Sequence, residues 1–324
     1  MDELLDDSSL QPEGAVRLVL GTMSFGDTVD EPTAGRIIEA AIEAGITELD
    51  TANTYAGGAS EQIIGRVLRS APEGIAVSSK VGMQPGRGAG PLAHGEVIAA
   101  ARTSVERLGR PLDTLYLHQP DRSTPLTETV GGVSEVLELG LADRFGLSNH
   151  SAWETVEVHE LCRRQQVAVP RRAQQLYNAL ARRLEVEFLP FAAARGVQTV
   201  VYNPLAGGLL TGRHTIAEEP ADGRFGSSAL APMYRQRYWT QERFQVLDEL
   251  RAIADGAALT LIELALRWLL GVPGVGAILV GGSTPEQIRS NVAALGRGPL
   301  EAELRVRIDA ATAPLLAGAP HYAR

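Results

Sequence analysis

The chain contains 324 residues, a length that suits one large barrel or two modest domains. Acidic residues outnumber basic residues by 39 to 30 and no basic run occurs, so nucleic acid is not an expected partner. No apolar stretch approaches the roughly 20 residues that cross a bilayer, and the acidic, polar first residues are unlike a secretory signal. With a single cysteine, Cys162, the composition predicts a cytoplasmic protein that acts on small molecules.

Short β-rich runs alternate with amphipathic segments after a polar stretch, 1–14, which is predicted as a disordered tail. The predicted strands start, in chain order, at Val16, Ile46, Ile75, Thr114, Arg144, Ala173, Thr199 and Ala277. The predicted helices cover 33–45, 60–71, 96–109, 126–140, 152–166, 185–196, 260–270 and 285–295. Ser60 is predicted to cap the second helix. From Ala206 to about Trp239 neither pattern is found, so this stretch is predicted as an irregular cofactor or substrate lid.

About eight β/α units with short connections follow from this order of elements. Parallel strands joined by helices need both faces covered, and eight such units close into a barrel. A doubly wound sheet is the structural alternative. It would carry a dinucleotide fingerprint after the first strand, whereas the residues there, GTMSFG, lack the GxGxxG spacing. The sequence therefore predicts a single (β/α)8 TIM barrel over 15–324, with a long loop after the seventh strand.

Polar residues stand at the ends of the predicted strands, where such a barrel has its active site. Asp50 and Tyr55 follow the second strand. Lys80 follows the third strand and His118 the fourth. Ser148 and Asn149 follow the fifth strand, Gln174 belongs to the sixth strand and Tyr202 belongs to the seventh. Each residue alone has an ordinary explanation, such as a helix cap for Asn149. Because buried charges need partners, their convergence on one face predicts a functional site.

The first four of these residues suit the transfer of a proton to a carbonyl oxygen. A Lys80 ammonium beside the Tyr55 phenol is expected to lower the phenol pKa from about 10, with Asp50 holding the ammonium in place. His118 would orient the carbonyl oxygen while Tyr55 gives up its proton. No side chain can deliver a hydride, so a nicotinamide cofactor is required. Ser148, Asn149 and Gln174 are candidates to bind the carboxamide of the nicotinamide. The aromatic face of Tyr202 is a candidate to stack on its ring.

A family resemblance covers nearly the whole chain. The chain resembles the aldo-keto reductases in the motifs LDTANTYAGGASE, SSKVG, LYLHQPD, GLSN, VVYNPLAGGLLTG and GGSTPEQIRSN. It is similar in particular to the aflatoxin-aldehyde and succinic-semialdehyde reductase subfamily in HQPDRSTPLTETV, SNHSAWE, YNALARRLEVEFLP, MYRQRYW and the terminal HYAR. The resemblance implies reversible NADPH-dependent reduction of aldehydes or ketones to alcohols, and the subfamily implies a homodimer.

The resemblance also implies a role for each matching residue, with Tyr55 as the general acid and NADPH extended across the barrel mouth. The implied tetrad is Tyr55, Asp50, Lys80 and His118. The implied cofactor contacts are Thr22, Met23, Asp50, Ser148, Asn149, Gln174, Tyr202, Asn203, Pro204, Leu205, Gly207, Gly281, Ser283, Thr284, Gln287 and Asn291. Many relatives carry a lysine and an arginine where this chain has Gly281 and Gln287, so fewer cations face the 2′-phosphate. Arg213 or Arg224, in the long loop, would supply charge to the phosphates instead.

Two arginines match positions that face a substrate carboxylate or polar tail in this subfamily. These are Arg237 and the terminal Arg324, and an arginine fork suits carboxylates. Two surface arginines without this role are the simpler alternative. The implied substrate contacts are Met23, Tyr55, His118, Arg237, Trp239 and Arg324, with Met23 as an apolar wall of the pocket. The expected substrate is a small carbonyl compound, and a carboxylated one if the arginines bind it.

Two other classes of function stay open. A metal-dependent barrel hydrolase needs several His or carboxylate ligands at strand ends, and of six histidines only His118 stands there with catalytic neighbours, so no metal is expected. An NADPH-binding regulatory subunit with little turnover is the second alternative, because some relatives of this fold keep the tetrad and attach to membrane channels. The subfamily motifs favour the enzyme.

Overall fold

The computed structural model describes residues 16–72, 74–83, 92–218 and 220–317. The described residues form eight parallel strands that pair in chain order, and the last strand pairs with the first to close a barrel. The strands, β1 to β8, are Arg17–Gly21, Glu48–Asp50, Ala76–Val81, Leu112–Leu117, Ala142–Ser148, Arg172–Leu176, Gln198–Tyr202 and Val275–Val280. This closed barrel confirms the predicted (β/α)8 fold and excludes the doubly wound sheet.

Helices cover the outside of the barrel, because parallel neighbouring strands are joined by helical crossovers. The described helices, α1 to α12, are Glu31–Glu43, Ala59–Val67, His94–Leu108, Leu126–Glu138, Ala152–Gln165, Phe188–Arg195, Ala231–Tyr238, Gln241–Gly256, Leu261–Leu270, Pro285–Gly296, Ala302–Thr312 and Pro314–Ala317. The main hydrophobic core joins side chains of strands and helices into one cluster, which fixes the strand ends relative to one another.

The first crossover helix shows how the sequence directs a helix onto the barrel. The Asp30 carboxylate accepts a 2.9 Å hydrogen bond from the backbone N–H of Thr33, which satisfies a free donor in the first turn of α1. Ile37 and Ile38 are fully buried in the core, and each such side chain stabilises the fold by about 1.5–3 kcal/mol. After the helix, Gly45 adopts a φ of 86°, which favours glycine and ends the helical run.

The strand register brings the predicted polar residues to one end of the barrel. Asp50, the last residue of β2, pairs with Gly21 of β1 and with Ser78 of β3. Lys80 lies two residues further along β3, and His118 follows directly after β4. The carboxyl ends of parallel barrel strands share one rim, so these three side chains are neighbours although they are distant in the chain.

The start of α2 differs from the prediction. A 3₁₀ turn, Tyr55–Gly58, comes first, and the helix begins at Ala59. The Ser60 side chain does not cap the helix. Its buried hydroxyl lies 2.9 Å from the hydroxyl of Thr51 and 3.1 Å from that of Thr22. The capping prediction for Ser60 is wrong because the turn that carries the tyrosine places the helix start one residue earlier and turns the serine inward.

The segment after β7 is more regular than the predicted irregular lid. It contains 3₁₀ segments at Ala206–Thr211 and Gly223–Phe225 as well as α7, which occupies Ala231–Tyr238. The apolar repeat of α7 is weak because its buried face consists of Ala231 and two tyrosines, Tyr234 and Tyr238, which make aromatic contacts. The rings of Phe225 and Tyr234, for example, meet edge to face with centroids 6.0 Å apart.

A second boundary also differs, because the predicted helix 185–196 is divided. A 3₁₀ turn at Arg183–Glu185 precedes α6. The Glu185 carboxylate accepts hydrogen bonds of 2.5 Å from the Tyr177 hydroxyl and 2.7 Å from Arg182, so it belongs to the turn rather than to a helical face.

Some predictions concern residues that lie outside the described ranges. These are the predicted tail, 1–14, and the terminal Arg324. Within the described ranges, no helix combines the length and apolarity needed to span a bilayer.

Candidate active site

Lys80 joins the acid and the phenol that follow β2. Its Nζ donates hydrogen bonds to Oδ1 of Asp50, to the carbonyl oxygen of Thr51 at 2.7 Å and to the Tyr55 hydroxyl at 3.3 Å. The side chains of Lys80 and Asp50 are only 1% and 2% exposed. Buried charges of this kind are stable only where each has a partner. The structure therefore brings together three members of the predicted tetrad.

Burial dominates the electrostatics of this group. It raises the pKa of the Asp50 carboxyl, against the opposing effects of Lys80 and Gln174. Burial also raises the pKa of Tyr55, although the Lys80 ammonium favours the phenolate. For Lys80, burial lowers the pKa, but its contacts with Asp50 and Tyr55 outweigh burial and raise it. The predicted lowering of the Tyr55 pKa is therefore wrong in its net direction, because the loss of hydration of a phenolate exceeds the attraction of the ammonium.

A sharp turn aims the phenol. After Tyr55, three consecutive residues have positive φ, with 47° at Ala56, 64° at Gly57 and 97° at Gly58. Glycine adopts such angles without a steric cost, which explains the pair of glycines in the loop. The turn lets α2 leave the rim while the Tyr55 hydroxyl stays beside Lys80.

His118 lies next to the phenol. The rings of Tyr55 and His118 meet edge to face with centroids 6.0 Å apart. Burial, together with the nearby Lys80 ammonium, lowers the pKa of His118 to about 3, so the imidazole is neutral at physiological pH. A neutral imidazole still donates one N–H, which suits an oxygen atom placed beside the phenol. Among the described residues, no group of three His, Cys, Asp or Glu side chains is arranged to hold a metal ion.

The residues at the ends of the later strands form one connected group. Asn149 donates from Nδ2 to the carbonyl oxygen of His118 at 2.8 Å and accepts a 2.7 Å hydrogen bond from the Tyr202 hydroxyl. Its Nδ2 also lies 3.1 Å from Oγ of Ser148. Gln174 donates from Nε2 to Oδ2 of Asp50 at 2.8 Å, which leaves its carbonyl oxygen available. The four predicted carboxamide and ring partners thus lie beside the tetrad.

Thr22 and Met23 lie on the adjoining part of the rim, after β1. The Thr22 hydroxyl donates a 2.9 Å hydrogen bond to the carbonyl oxygen of Asp50, and its side chain is fully buried. Met23 is partly buried and packs against the main core. Thr22 therefore fixes the backbone at Asp50, and Met23 adds an apolar side chain to the adjoining core.

A tight turn, Asn203-Pro-Leu-Ala-Gly-Gly, follows β7. Asn203 has a φ of 63°, and its Oδ1 accepts a 2.6 Å hydrogen bond from the N–H of Gly207. Gly207 has a φ of 71°, and a Cβ there would lie 2.6 Å from the ring of Tyr234. Pro204 is buried and Leu205 is partly buried within the turn. Glycine at position 207 therefore leaves room for the Tyr234 ring to pack against the turn.

Two residues that the sequence analysis did not single out hold this turn. Asn178 donates from Nδ2 to the carbonyl oxygen of Asn203 at 2.9 Å and to the hydroxyl of Tyr238 at 3.0 Å. Asn203 donates to the same hydroxyl at 3.0 Å. Asn178 and Tyr238 stand in the motifs YNALARRLEVEFLP and MYRQRYW, so the resemblance contained a signal for both.

A cavity of about 590 Å³ lies between the long loop and the connection from β8 to α10. Its lining residues are Asp27, Thr28, Arg213, His214, Pro220, Asp222, Gly223, Ser227 and Ser283. Arg213 and Ser283, both predicted to face phosphates, therefore share this cavity. Asp27 was not predicted because it follows β1, far in sequence from the other lining residues. The structure joins it to the long loop, since the Ser228 hydroxyl donates a 3.0 Å hydrogen bond to its carboxylate.

The segment from Gly281 to Asn291 forms a loop and the first turns of α10. The Thr284 hydroxyl accepts a 3.3 Å hydrogen bond from the N–H of Gln287. The Gln287 side chain accepts a 2.8 Å hydrogen bond from the N–H of Ser283, and Asn291 donates to the carbonyl oxygen of Gly281 at 3.1 Å. These side chains hold the loop, and the N-terminus of α10 adds a partial positive charge beside Ser283.

Arg224 and Arg237 act on the tyrosines of the barrel mouth. The Arg224 guanidinium lies 5.8 Å from the ring of Tyr234, and its charge favours the phenolate of Tyr55. Its Nη1 is buried and has no hydrogen-bond partner within the described residues. An unpartnered buried donor of this kind fits an anionic group. Burial raises the pKa of Tyr202, and the Arg237 charge counteracts burial, so this guanidinium also lies near the mouth.

Trp239 packs within an aromatic cluster of the long loop. Its ring centroid lies 5.0 Å from those of Phe225 and Phe244 and 5.6 Å from that of His214. The ring thus stabilises the loop itself, and its predicted contact with a substrate stays a prediction.

Comparison with known proteins agrees with this geometry. A family model described as Aldo/keto reductase family matches residues 17–313. Aflatoxin B1 aldehyde reductase member 2 of Rattus norvegicus is 34% identical over 300 residues, which are 87% of this chain and 81% of the relative. Aldo-keto reductase family 7 member A3 of Homo sapiens is 36% identical over 298 residues, 87% of this chain and 89% of the relative.

A probable voltage-gated potassium channel subunit beta of Arabidopsis thaliana is 31% identical over 284 residues, which are 86% of each chain. The family match spans all the described barrel strands and the four residues of the predicted tetrad. The chain therefore belongs to the aldo/keto reductase family.

Proposed function

We propose that the protein reduces aldehydes and ketones to alcohols with NADPH and that Tyr55 is the general acid. Family membership and the aldehyde reductase relatives support the coarser statement that the chain is an oxidoreductase acting on small carbonyl compounds. The observation that carries the proposal is the contact of one buried ammonium, Lys80, with both Asp50 and the Tyr55 hydroxyl.

In this proposal the carbonyl oxygen of the substrate lies between the Tyr55 hydroxyl and the neutral imidazole of His118. As negative charge develops on that oxygen, His118 donates a hydrogen bond to it and Tyr55 transfers its proton, which forms the alcohol O–H. The Lys80 ammonium then stabilises the phenolate, and Asp50 keeps the ammonium in place. Burial, which raises the Tyr55 pKa, supports a protonated phenol at neutral pH.

A bound nicotinamide cofactor supplies the hydride for the carbonyl carbon. The residues present fit such a group. Asn149 and Gln174 offer amide groups beside the tetrad. Arg224 has a buried donor without a partner in the described ranges, and Arg213 lines the cavity of about 590 Å³. These cations support NADPH in preference to NADH.

The names of the relatives support an aldehyde as the substrate. The position of Arg237 near the mouth supports a carboxylated aldehyde, because a guanidinium binds carboxylates through paired hydrogen bonds. We further propose a cytoplasmic location and a homodimer. The single cysteine, which is buried, supports the first, and the subfamily resemblance supports the second.

The test is an assay of aldehydes with NADPH and with NADH, comparing the wild type with Tyr55→Phe. Loss of the general acid is expected to lower kcat by about 10²-fold or more, while the dissociation constant of NADPH, measured by fluorescence, stays close to the wild-type value. Activity retained in Tyr55→Phe would refute the role of Tyr55. A wild type that binds NADPH tightly but turns over no carbonyl compound would favour the regulatory-subunit alternative.

A further inference from the structure

A buried ion pair lies behind the Tyr55 loop, between α2 and α3. The Glu61 side chain is 0% exposed and that of Arg107 is 26% exposed. Nη1 of Arg107 lies 3.0 Å from Oε2 of Glu61. A carboxylate removed from water in this way costs several kcal/mol unless it is paired and fully hydrogen-bonded. The pair therefore requires an explanation in terms of what it holds.

The same ion pair contacts both segments that carry the proton-transfer residues, namely the loop with Tyr55 and the strand with Lys80. Oε1 of Glu61 accepts a 2.6 Å hydrogen bond from the hydroxyl of Ser79, the residue before Lys80 in β3. Nη1 of Arg107 also donates a 3.1 Å hydrogen bond to the carbonyl oxygen of Asn53, two residues before Tyr55. One carboxylate and one guanidinium thus connect the strand that carries Lys80 with the loop that carries Tyr55.

Two glycines make room for this arrangement. A Cβ on Gly58 would collide with the guanidinium of Arg107, and a Cβ on Gly65 would collide with the Arg107 carbonyl oxygen. Gly65 lets α2 and α3 approach closely, and Gly58 lets the guanidinium lie against the end of the Tyr55 turn. The Arg107 side chain therefore runs along α2 to the loop.

We infer that Arg107 and Glu61 are positioning residues for the proton donor and hold the Tyr55 hydroxyl at hydrogen-bond distance from Lys80. This inference rests on the proposed function, because it assigns their effect to proton transfer from Tyr55. Neither residue contacts the hydroxyl itself. They act through Asn53 and Ser79, and a shift of about 1 Å in such a contact is enough to slow a reaction by about 10²-fold.

The test compares Arg107→Met and Arg107→Lys with a matched control, Arg66→Met. Arg66 lies on α2, the helix that carries Glu61, and pairs with Glu31 at 2.6 Å, but its side chain is 43% exposed and makes its ion pair away from the Tyr55 loop. Three quantities are measured for each protein: kcat for aldehyde reduction with its solvent deuterium isotope effect, the NADPH dissociation constant, and hydrogen exchange of the segment 53–58.

For Arg107→Met, kcat is expected to fall by about 10-fold or more, with a larger solvent isotope effect and faster exchange in 53–58. The NADPH dissociation constant should change by less than about twofold. Arg107→Lys should recover part of kcat, because an ammonium still reaches one of the two acceptors. Arg66→Met should match the wild type in all three quantities.

The inference is wrong if Arg107→Met leaves both the hydrogen exchange of 53–58 and the isotope effect unchanged. A fall in kcat that accompanies a loss of stability would not rescue it. If the wild type shows no NADPH-dependent turnover, the proposed function is contradicted instead. The hydrogen exchange of 53–58 in Arg107→Met then decides this inference by itself. If Arg107→Met does not fold, Ser79→Ala removes only the hydroxyl that joins Glu61 to β3. It should raise the isotope effect and lower kcat, and unchanged values overturn the inference.

Discussion

Gln174 donates a 2.8 Å hydrogen bond from Nε2 to Oδ2 of Asp50 across the barrel, although 124 residues separate the two in the chain. The resemblance places Gln174 on the carboxamide of the cofactor. The structure shows that one N–H of its amide already binds Asp50, so its carbonyl oxygen and its second N–H remain for other partners. Gln174 therefore couples the cofactor side of the site to the pair formed by Asp50 and Lys80.

Replacement of this side chain should affect both chemistry and stability. Gln174→Leu removes a hydrogen bond to a buried carboxylate, a loss of about 1.5–3 kcal/mol in the free energy of unfolding measured with urea. Because burial already raises the Asp50 pKa, the loss favours the protonated acid, weakens its hold on Lys80 and lowers kcat. Gln175→Leu is the control, since the Gln175 amide donates its 2.6 Å hydrogen bond to the carbonyl oxygen of His150 and not to Asp50. It should lose stability but keep kcat, and equal kcat in both variants would contradict the coupling.

Replacement of Lys80 should separate the two directions of the reaction. Lys80→Met removes the only ammonium that touches the Tyr55 hydroxyl among the described residues, so the raised pKa of Tyr55 should rise further. Reduction needs the protonated phenol, whereas alcohol oxidation needs the phenolate as a base. Oxidation should therefore lose more activity than reduction. The part of its pH profile in which activity rises as Tyr55 loses its proton should move to higher pH. Equal losses in both directions at every pH would show that Lys80 does not act on the phenol.

The state of His118 predicts the shape of the pH profile for reduction. With a pKa of about 3, the imidazole is neutral throughout the range from roughly pH 5 to 8, whereas an ordinary histidine titrates near 6.5. Tyr55 stays protonated below its pKa, which burial raises above the usual value of about 10. Measured at saturating cofactor and substrate, kcat should be level across this range. A limb near pH 6.5 that disappears in His118→Gln would contradict a neutral imidazole.

Arg237 should distinguish charged from uncharged substrates. A charge-assisted hydrogen bond contributes about 1.5–3 kcal/mol, so Arg237→Met should raise KM for a carboxylated aldehyde by about 10-fold or more. KM for an uncharged aldehyde of similar size should stay nearly constant. Gln236→Met, on the exposed neighbouring position of α7, is the control and should alter neither value. Equal effects of Arg237→Met on both substrates would exclude carboxylate binding.

Predictions from the sequence succeeded where the signal was local. Asp50, Lys80 and His118 stand at or next to the carboxyl ends of their predicted strands, so they could be assigned to the rim before any contact was known. The errors have local causes too. Ser60 has the residue type of a helix cap, but the inward turn after Tyr55 gives it hydroxyl partners instead. The helix α7 carries only a weak apolar repeat because its buried face is Ala231 with two tyrosines, and aromatic contacts with the loop hold it.

The sequence by itself determined the barrel and identified the candidate tetrad, because alternating strands and helices and the residues at their ends are features of neighbouring positions. Only the tertiary structure decided which partners these residues have. It places the Gln174 amide on Asp50, the Arg107 guanidinium on the carbonyl oxygen of Asn53, and the Arg224 guanidinium beside the ring of Tyr234. It also decided that the pKa of Tyr55 rises, because burial depends on how segments distant in the chain exclude water from one site.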